Sequence, residues 1–269
     1  MAATGLYVYG IVPSEAMASA QLDTGIDGEQ LELITSGNLA AIVHSCSTEP
    51  YQGPDSTVEQ WILEHSHVIE AAWQTAGTVL PMSFNVIVSP GDDATDSAEN
   101  RLAKWLTAST DAFSKRLALL RDHVELRVEI ALDEATVAAM SQELIELQQA
   151  TEARPAGVQR LYRKRMEERT REVTERTADQ LYPEYRRRLA ACSEDLVENA
   201  RPGRTPGSIT VLTASLLVHQ DKMDAIGVEL ADIRDSQPGA NIRYLGPWPP
   251  YSFSEVPELD SEQTKPGGR

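Results

Sequence analysis

Histidine and cysteine are the side chains from which a metal site or a nucleophile would be built here, and "HSC" places His44 and Cys46 two residues apart. On a strand that spacing puts both on one face, where they could ligate a metal. No second ligand cluster accompanies them, so the stretch reads as a half-buried strand end. His65 and His67 are the one other close pair. A helix turns them to different faces, and His65 falls on an apolar stripe, as a core or edge histidine with satisfied hydrogen bonds would. Asp92 and Asp93 in "SPGDDATDSAEN" lack the ligand order of a calcium loop. They read as carboxylates near a helix start, where the dipole favours negative charge. The patterns G-x-S-x-G, P-loop and G-x-G-x-x-G do not occur. The residue types point away from catalysis, and no metal or cofactor is expected.

Composition narrows the partners. A net charge of −17 over 269 residues opposes general nucleic-acid binding and a polybasic membrane mode. Pro155 to Ala200 is the exception, with 10 of the 24 basic residues and 9 of the 41 acidic ones. Five lysines stand beside nineteen arginines, which fits a high-salt cytosol or a base-composition bias equally well. No apolar run approaches the roughly 18–20 residues that span a bilayer. The N-terminus has no basic region leading into an apolar one, and two distant cysteines make no disulfide framework. A reduced cytoplasm is the expected location.

The elements that must position these residues follow from periodicity. "GLYVYGIVP" reads as a buried strand, and "QLELITSGNLAAIVHSC" as a hairpin turning at Ser36-Gly37-Asn38. Val58, Trp61, Ile62, His65, Ile69, Ala72, Trp73 and Ala76 recur at helical spacing, with Ser56 as N-cap and Gly77 as C-cap. "TVLPMSFNVIVSP" returns to strand, Pro81 implying an edge or a bulge. Asp96 to Asp122 is a second amphipathic helix. This gives an N-terminal α+β domain over 1–122.

"HVELRVEIAL" alternates strictly and opens a second domain, 123–256. Helices are expected over Glu134 to Thr151 and Pro155 to Ala200, the latter kinked or split at Pro183. "RPGRTPGS" breaks the pattern; strand "ITVLTASLLVHQ", a capped helix and strand "ANIRYLGPW" follow. The domain therefore reads β-α-β-α-β, a ferredoxin-like split βαβ with one strand missing or altered. Residues 257–269 read as a disordered tail. Within the long helix, "RLYRKRMEERTREVTER" is a solvated, ion-paired face or a docking surface for an acidic or helical partner.

"GPWPPYSF" closes the last strand. Pro247, Pro249 and Pro250 fix φ and remove donors, making a stiff arm that carries Trp248, Tyr251 and Phe253. It could clamp its own fold or present anchors to a partner. As a clamp it makes Trp248→Ala costlier to the second domain than to binding.

Three motifs, in order, resemble the gas vesicle accessory proteins F and L: "GLYVYGIVP", "HSHVIEAAWQTAGTVLPMSFNVIV" and "IRYLGPWPPYSF". His65 matches the family's helix histidine, Pro81 and Phe84 its V-L-P-x-x-F strand, and Gly246, Pro247, Trp248, Pro249, Pro250, Tyr251 and Phe253 its terminal signature. Asn85 stands where the family usually has glycine, and Ser83 where many members have arginine. The resemblance implies a two-domain α+β protein with a modified ferredoxin-like second domain. It also implies a minor vesicle component or assembly factor that binds the hydrophobic major shell protein A, and other minor vesicle proteins, without nucleic acid, membrane or cofactor. Haloarchaeal and actinobacterial members are equally compatible with the composition. Readings from other classes are a non-catalytic ferredoxin-like ligand sensor and a metal enzyme using His44, Cys46 and His65.

Overall fold

The computed structural model describes residues 4–18, 20, 23–91, 96–200 and 205–255. Asp92, Asp93 and the tail read from Pro257 onward lie outside the described residues. The fold is α+β with two antiparallel sheets. The chain divides into two compact units: residues 4–123 with 248–255, and residues 124–247.

In the first unit β1 (Thr4–Pro13) is followed by the short α1 (Ser14–Met17) and the hairpin β2 (Glu32–Ser36) and β3 (Leu39–Ser47). The long α2 (Asp55–Ala76) leads to β4 (Leu80–Pro81), β5 (Ile87–Val88), α3 (Ala98–Ala108) and α4 (Thr110–Leu120). The sheet order is β2-β3-β1-β4, with β5 also on β1. A central strand must be apolar on both faces, and residues 5–12 of β1 are all buried. Gly77 ends α2 in the left-handed region, φ 68°, where a side chain would be strained. Pro54, rather than Ser56, precedes the first turn of α2.

Two long elements read from the sequence are each broken in two. The strand expected from Thr78 onward becomes β4 and β5 around a turn at Phe84 and Asn85, with Asn85 at φ 70°. Its backbone stays attached to β1: Met82 N–H donates to Tyr9 O and Val8 N–H to Val86 O, both at 2.9 Å. Pro81 thus sits in a two-residue edge strand, opposite Gly10. The helix expected over 96–122 breaks at Ser109. Thr107 and Thr110 turn their hydroxyls back onto the carbonyls of Ala103 and Leu106 (2.8 and 2.9 Å), a local competition that weakens helix continuity.

The second unit begins with β6 (His123–Asp133), whose last residue caps α5 (Glu134–Met140): Asp133 Oδ1 accepts from Thr136 N–H at 2.7 Å. Ser141 interrupts the expected single helix and caps α6 (Gln142–Glu152). Then α7 (Ala156–Cys192) runs unbroken through Pro183. Tyr185 and Leu189 beyond the proline are as buried as Val173 and Ala178 before it, so packing on both sides offsets the missing donor.

The helix read to Ala200 ends eight residues earlier in sequence. Asp195–Glu198 is a strand, β7, paired antiparallel with β8 (Ser208–His219). After α8 (Met223–Ser236) comes β9 (Ala240–Trp248). The order β7-β8-β6-β9 is a complete β-α-β-β-α-β split βαβ, so the strand missing from the sequence reading is β7. Among the described residues no helix is long and apolar enough to cross a membrane.

Candidate functional site

The first unit encloses four rings that the sequence places far apart. Tyr7 and Tyr9 leave β1 two residues apart, His44 comes from β3 and His65 from the buried stripe of α2. Antiparallel register sets Tyr7 opposite His44, and their rings stack at 5.1 Å with an interplanar angle of 3°. Tyr9 stacks on His65 at 5.4 Å. The hydrogen bonds cross over: Tyr7 Oη meets His65 Nδ1 at 3.0 Å and Tyr9 Oη meets His44 Nδ1 at 2.7 Å. Each tyrosine therefore stacks on one histidine and bonds the other.

The remaining partners fix where the protons sit. His65 Nε2 faces the Met82 carbonyl at 3.1 Å, so it carries hydrogen and Nδ1 is the acceptor. The Tyr7 hydroxyl then donates to His65 Nδ1 and accepts from Asn85 N–H at 3.1 Å. Tyr9 accepts from Ile26 N–H at 2.9 Å. Its own buried proton goes to His44 Nδ1, leaving His44 Nε2–H to donate to Tyr51 Oη at 2.9 Å. Both imidazoles are neutral, with both nitrogens committed. Burial pushes each of their pKa values down to about 4, against the opposing pull of the Met82 hydrogen bond at His65. Burial raises the tyrosines as well, Tyr51 to about 12.

Around this quartet lies a shell that the sequence reading did not connect. Phe84 stands edge-on to His65 at 6.0 Å. Tyr51 packs edge-on against Trp61 at 5.1 Å, and Trp61 Nε1–H donates to Asp27 Oδ1 at 2.9 Å. Gly25 permits the close approach of Tyr9, since a Cβ there would lie 2.2 Å from the hydroxyl.

Asn85 sits in the turn between β4 and β5 at φ 70°. Asparagine tolerates the left-handed backbone better than other side chains, and here its amide grips Tyr51. Oδ1 accepts from Tyr51 N–H at 2.8 Å and Nδ2–H donates to Tyr51 O at 3.1 Å. Asn85→Ala keeps the positive φ and loses both bonds. We expect it to lower stability by about 2 kcal/mol, whereas Asn85→Gly, freed of the backbone strain, loses about half as much. Urea melts of the three proteins check the order.

This arrangement is poorly suited to metal chemistry. The nitrogens of His44 and His65 are occupied, and burial raises the Cys46 thiol to about 11, far from a thiolate at neutral pH. His67 is exposed on α2, apart from the quartet. Among the described residues no three His, Cys, Asp or Glu side chains gather as a metal site would require.

The terminal signature divides. Gly246 and Pro247 cluster with the second unit, while Trp248 onward clusters with the first. The segment assigned from sequence to the second domain thus ends in contact with the first unit. Pro249, Pro250 and Phe253 are buried there, and Ser254 Oγ lies 3.5 Å from the Pro81 carbonyl. Trp248 and Tyr251 are each 39% exposed. Two of the three motifs, the one holding Pro81 and the one ending at Phe253, therefore meet.

Comparison with known proteins places the chain in a family. The description of the gas vesicle synthesis protein GvpL/GvpF family matches residues 5–255. Gas vesicle protein L1 of Halobacterium salinarum is 29% identical over 264 residues, covering 93% of this chain and 90% of the relative. Gas vesicle protein L of a Streptomyces species is 28% identical, covering 98% and 97%. Among solved structures, GvpF of Microcystis aeruginosa superposes with a TM-score of 0.64 at 17% identity, covering 94% of this chain and 99% of that one. That likeness concerns the fold. The family match over nearly the whole length carries the assignment: the chain belongs to the GvpL/GvpF family of gas vesicle proteins and has an accessory role in gas vesicles.

Proposed function

We propose that this protein binds the small, hydrophobic major shell protein and keeps it from aggregating until a gas vesicle nucleates. The observation that carries the reading is the family match across residues 5–255. Physical chemistry makes the task plain. A shell subunit with a water-repelling face has to be shielded before it polymerises, and a charged partner presenting a few apolar side chains can do so. The first unit offers such side chains: Ile62 and Leu63 on α2 are 42% and 60% exposed, and Trp248 and Tyr251 stand out on the arm. The work is done by contact rather than turnover, and it associates the protein with other vesicle components. His65, Pro81, Phe84 and the stretch from Gly246 to Phe253 serve this function by shaping the first unit and its arm.

Co-expression of the shell protein with and without this chain tests the reading. The soluble fraction of shell protein should rise severalfold in its presence, and Leu63→Asp should reduce that gain without lowering the melting temperature. Equal shell solubility in both cultures would remove the proposal.

A further inference from the structure

We propose that one side of α2, with the cleft beside it, is a docking groove for a basic amphipathic helix of a partner protein; the proposal shares Leu63 with the shell-protein reading but does not rest on it. The cleft has a volume of about 120 Å³, and Met17, Leu31, Ile42, Val68 and Ala72, all buried, form the apolar part of its lining. An apolar cavity of roughly 150 Å³ holds a benzene ring, so this one has room for a single leucine-sized side chain. Asp23, His67 and Ala71 belong to the same lining and are exposed. Leu63, His67, Ala71 and Thr75 follow one another at four-residue spacing, one row along the helix surface. The row starts at a leucine that is 60% exposed and runs into the lining of the cleft. Two apolar contact points are thereby offered, at Leu63 and beside Ala71, roughly 12 Å apart along the helix.

The charge around this groove has one sign. Residues 1–100 hold fourteen acidic side chains and no lysine or arginine. On α2, Glu59 lies one turn before Leu63 and Glu70 two turns after it, while Asp23 stands at the cleft. All three carboxylates are exposed. Among the described residues no carboxylate from Glu15 to Glu70 enters an ion pair. The second unit differs, for there Arg169 pairs with Glu143 and Glu172, and Arg188 with Glu229 and Asp232. Negative charge on α2 is thus left without a cation beside an exposed leucine and an open apolar cleft.

Charge complementarity selects the occupant. The local field and the net charge of −17 agree in sign, and both attract a cationic partner. A helix with leucines two turns apart, roughly 10 Å, sets one in the cleft and the other against Leu63. Lysines flanking those leucines then meet Glu59, Glu70 and Asp23. Burying Leu63 and filling the cleft supply the apolar part of the affinity. The same field turns away nucleic acid, anionic lipid and a second copy of this chain.

The test titrates the full-length chain into a fluorescein-labelled helical peptide with leucine at heptad spacing and lysine on the flanking positions, read by anisotropy. Saturable binding that weakens with salt is expected. Ala71→Arg, which sets a cation at the cleft, should weaken it at least about tenfold and Leu63→Ser severalfold. Asp23→Asn/Glu70→Gln should cost about fivefold, whereas Glu167→Gln/Asp179→Asn, which removes two exposed charges from α7, changes it less than about twofold. Unchanged melting curves would show that the variants remain folded. Replacing the peptide's leucines by serine, a change that leaves the protein untouched, should weaken binding at least about tenfold. The proposal is overturned if the wild-type chain does not bind the lysine peptide, or binds its serine or glutamate counterpart equally well. It is equally overturned if the α7 double substitution costs as much as the one at Asp23 and Glu70. Salt-sensitive self-association abolished by Leu63→Ser would assign the groove to a second copy instead. Peptide binding that persists while shell solubility is the same with and without this chain would support this proposal and sink the shell-protein reading alone.

Discussion

Acidifying the protein from neutral pH towards pH 4 is expected to unfold the first unit, with the transition set by His44 and His65. Their folded pKa values of about 4 lie below the ordinary 6.5. The folded state therefore binds these protons less readily than the unfolded chain. The stability they confer is complete above pH 6.5 and is lost as pH falls through the folded value near 4. Each histidine accounts for about 3 kcal/mol over that window. The two together are a large part of a typical domain stability of about 5–15 kcal/mol. Protonation has a structural consequence too: a charged His65 turns Nδ1 into a donor facing the Tyr7 hydroxyl, whose own proton then has no acceptor.

General acid effects differ in sign over the same window. Protonating surface carboxylates relieves the self-repulsion of a chain of charge −17, which stabilises the compact state. An early loss of stability on acidification therefore points to the buried imidazoles. Trp61, Trp73, Trp105 and Trp248 all belong to the first unit, so tryptophan emission reports that unit alone. His44→Gln/His65→Gln should be less stable at neutral pH and show a much flatter pH dependence between 6.5 and 4. An acid transition unchanged in this double variant would place the titrating groups elsewhere.

Much of the architecture was legible because it rests on local periodicity. The apolar run of β1, the hairpin around Gly37, the stripe of α2 with its Gly77 cap and the alternation in β6 each announce themselves within a dozen residues. What escaped depended on partners distant in sequence. β7 is four residues long and two of them, Asp195 and Glu198, are acidic, so neither length nor composition marks a strand. It exists because β8 offers an edge. The His/Tyr quartet was half visible: His65 on an apolar stripe implied a buried partner, and the spacing of Tyr7 and Tyr9 was in plain sight. That His44 stands opposite Tyr7 follows only from the register of β1 on β3. The direction of the closing arm was hidden for the same reason. Proline content makes it stiff and unable to extend the ladder, and nothing local says which unit it will meet.

That destination decides the second large effect. Phe253→Ala should lower the stability of the first unit by about 3 kcal/mol or more, the usual cost of emptying a phenylalanine site. Trp248→Ala should cost less than about 1 kcal/mol. The sequence alone had placed the burden on Trp248 and on the second domain. Phe253 is 3% exposed, whereas Trp248 keeps 39% of its surface in water. The neighbouring polar contacts cannot substitute for the ring. Ser254 Oγ reaches Pro81 O only at 3.5 Å, and the Arg116–Glu255 pair at 3.6 Å has its carboxylate 91% exposed, where an ion pair contributes little. If the arm detaches as a piece instead of leaving a cavity, the loss is limited to its docking energy. Trp248 would then shift its emission to the red while the far-ultraviolet signal of α7 persists. Equal costs for the two substitutions, or melting of α7 ahead of the tryptophan signal in Phe253→Ala, would show that the arm is anchored otherwise. Under the shell-protein proposal, Phe253→Ala should also reduce shell-protein solubilisation, because Pro81 and Phe253 belong to the two motifs that meet here, and Trp248→Ala becomes the cleaner probe of the contact proposed.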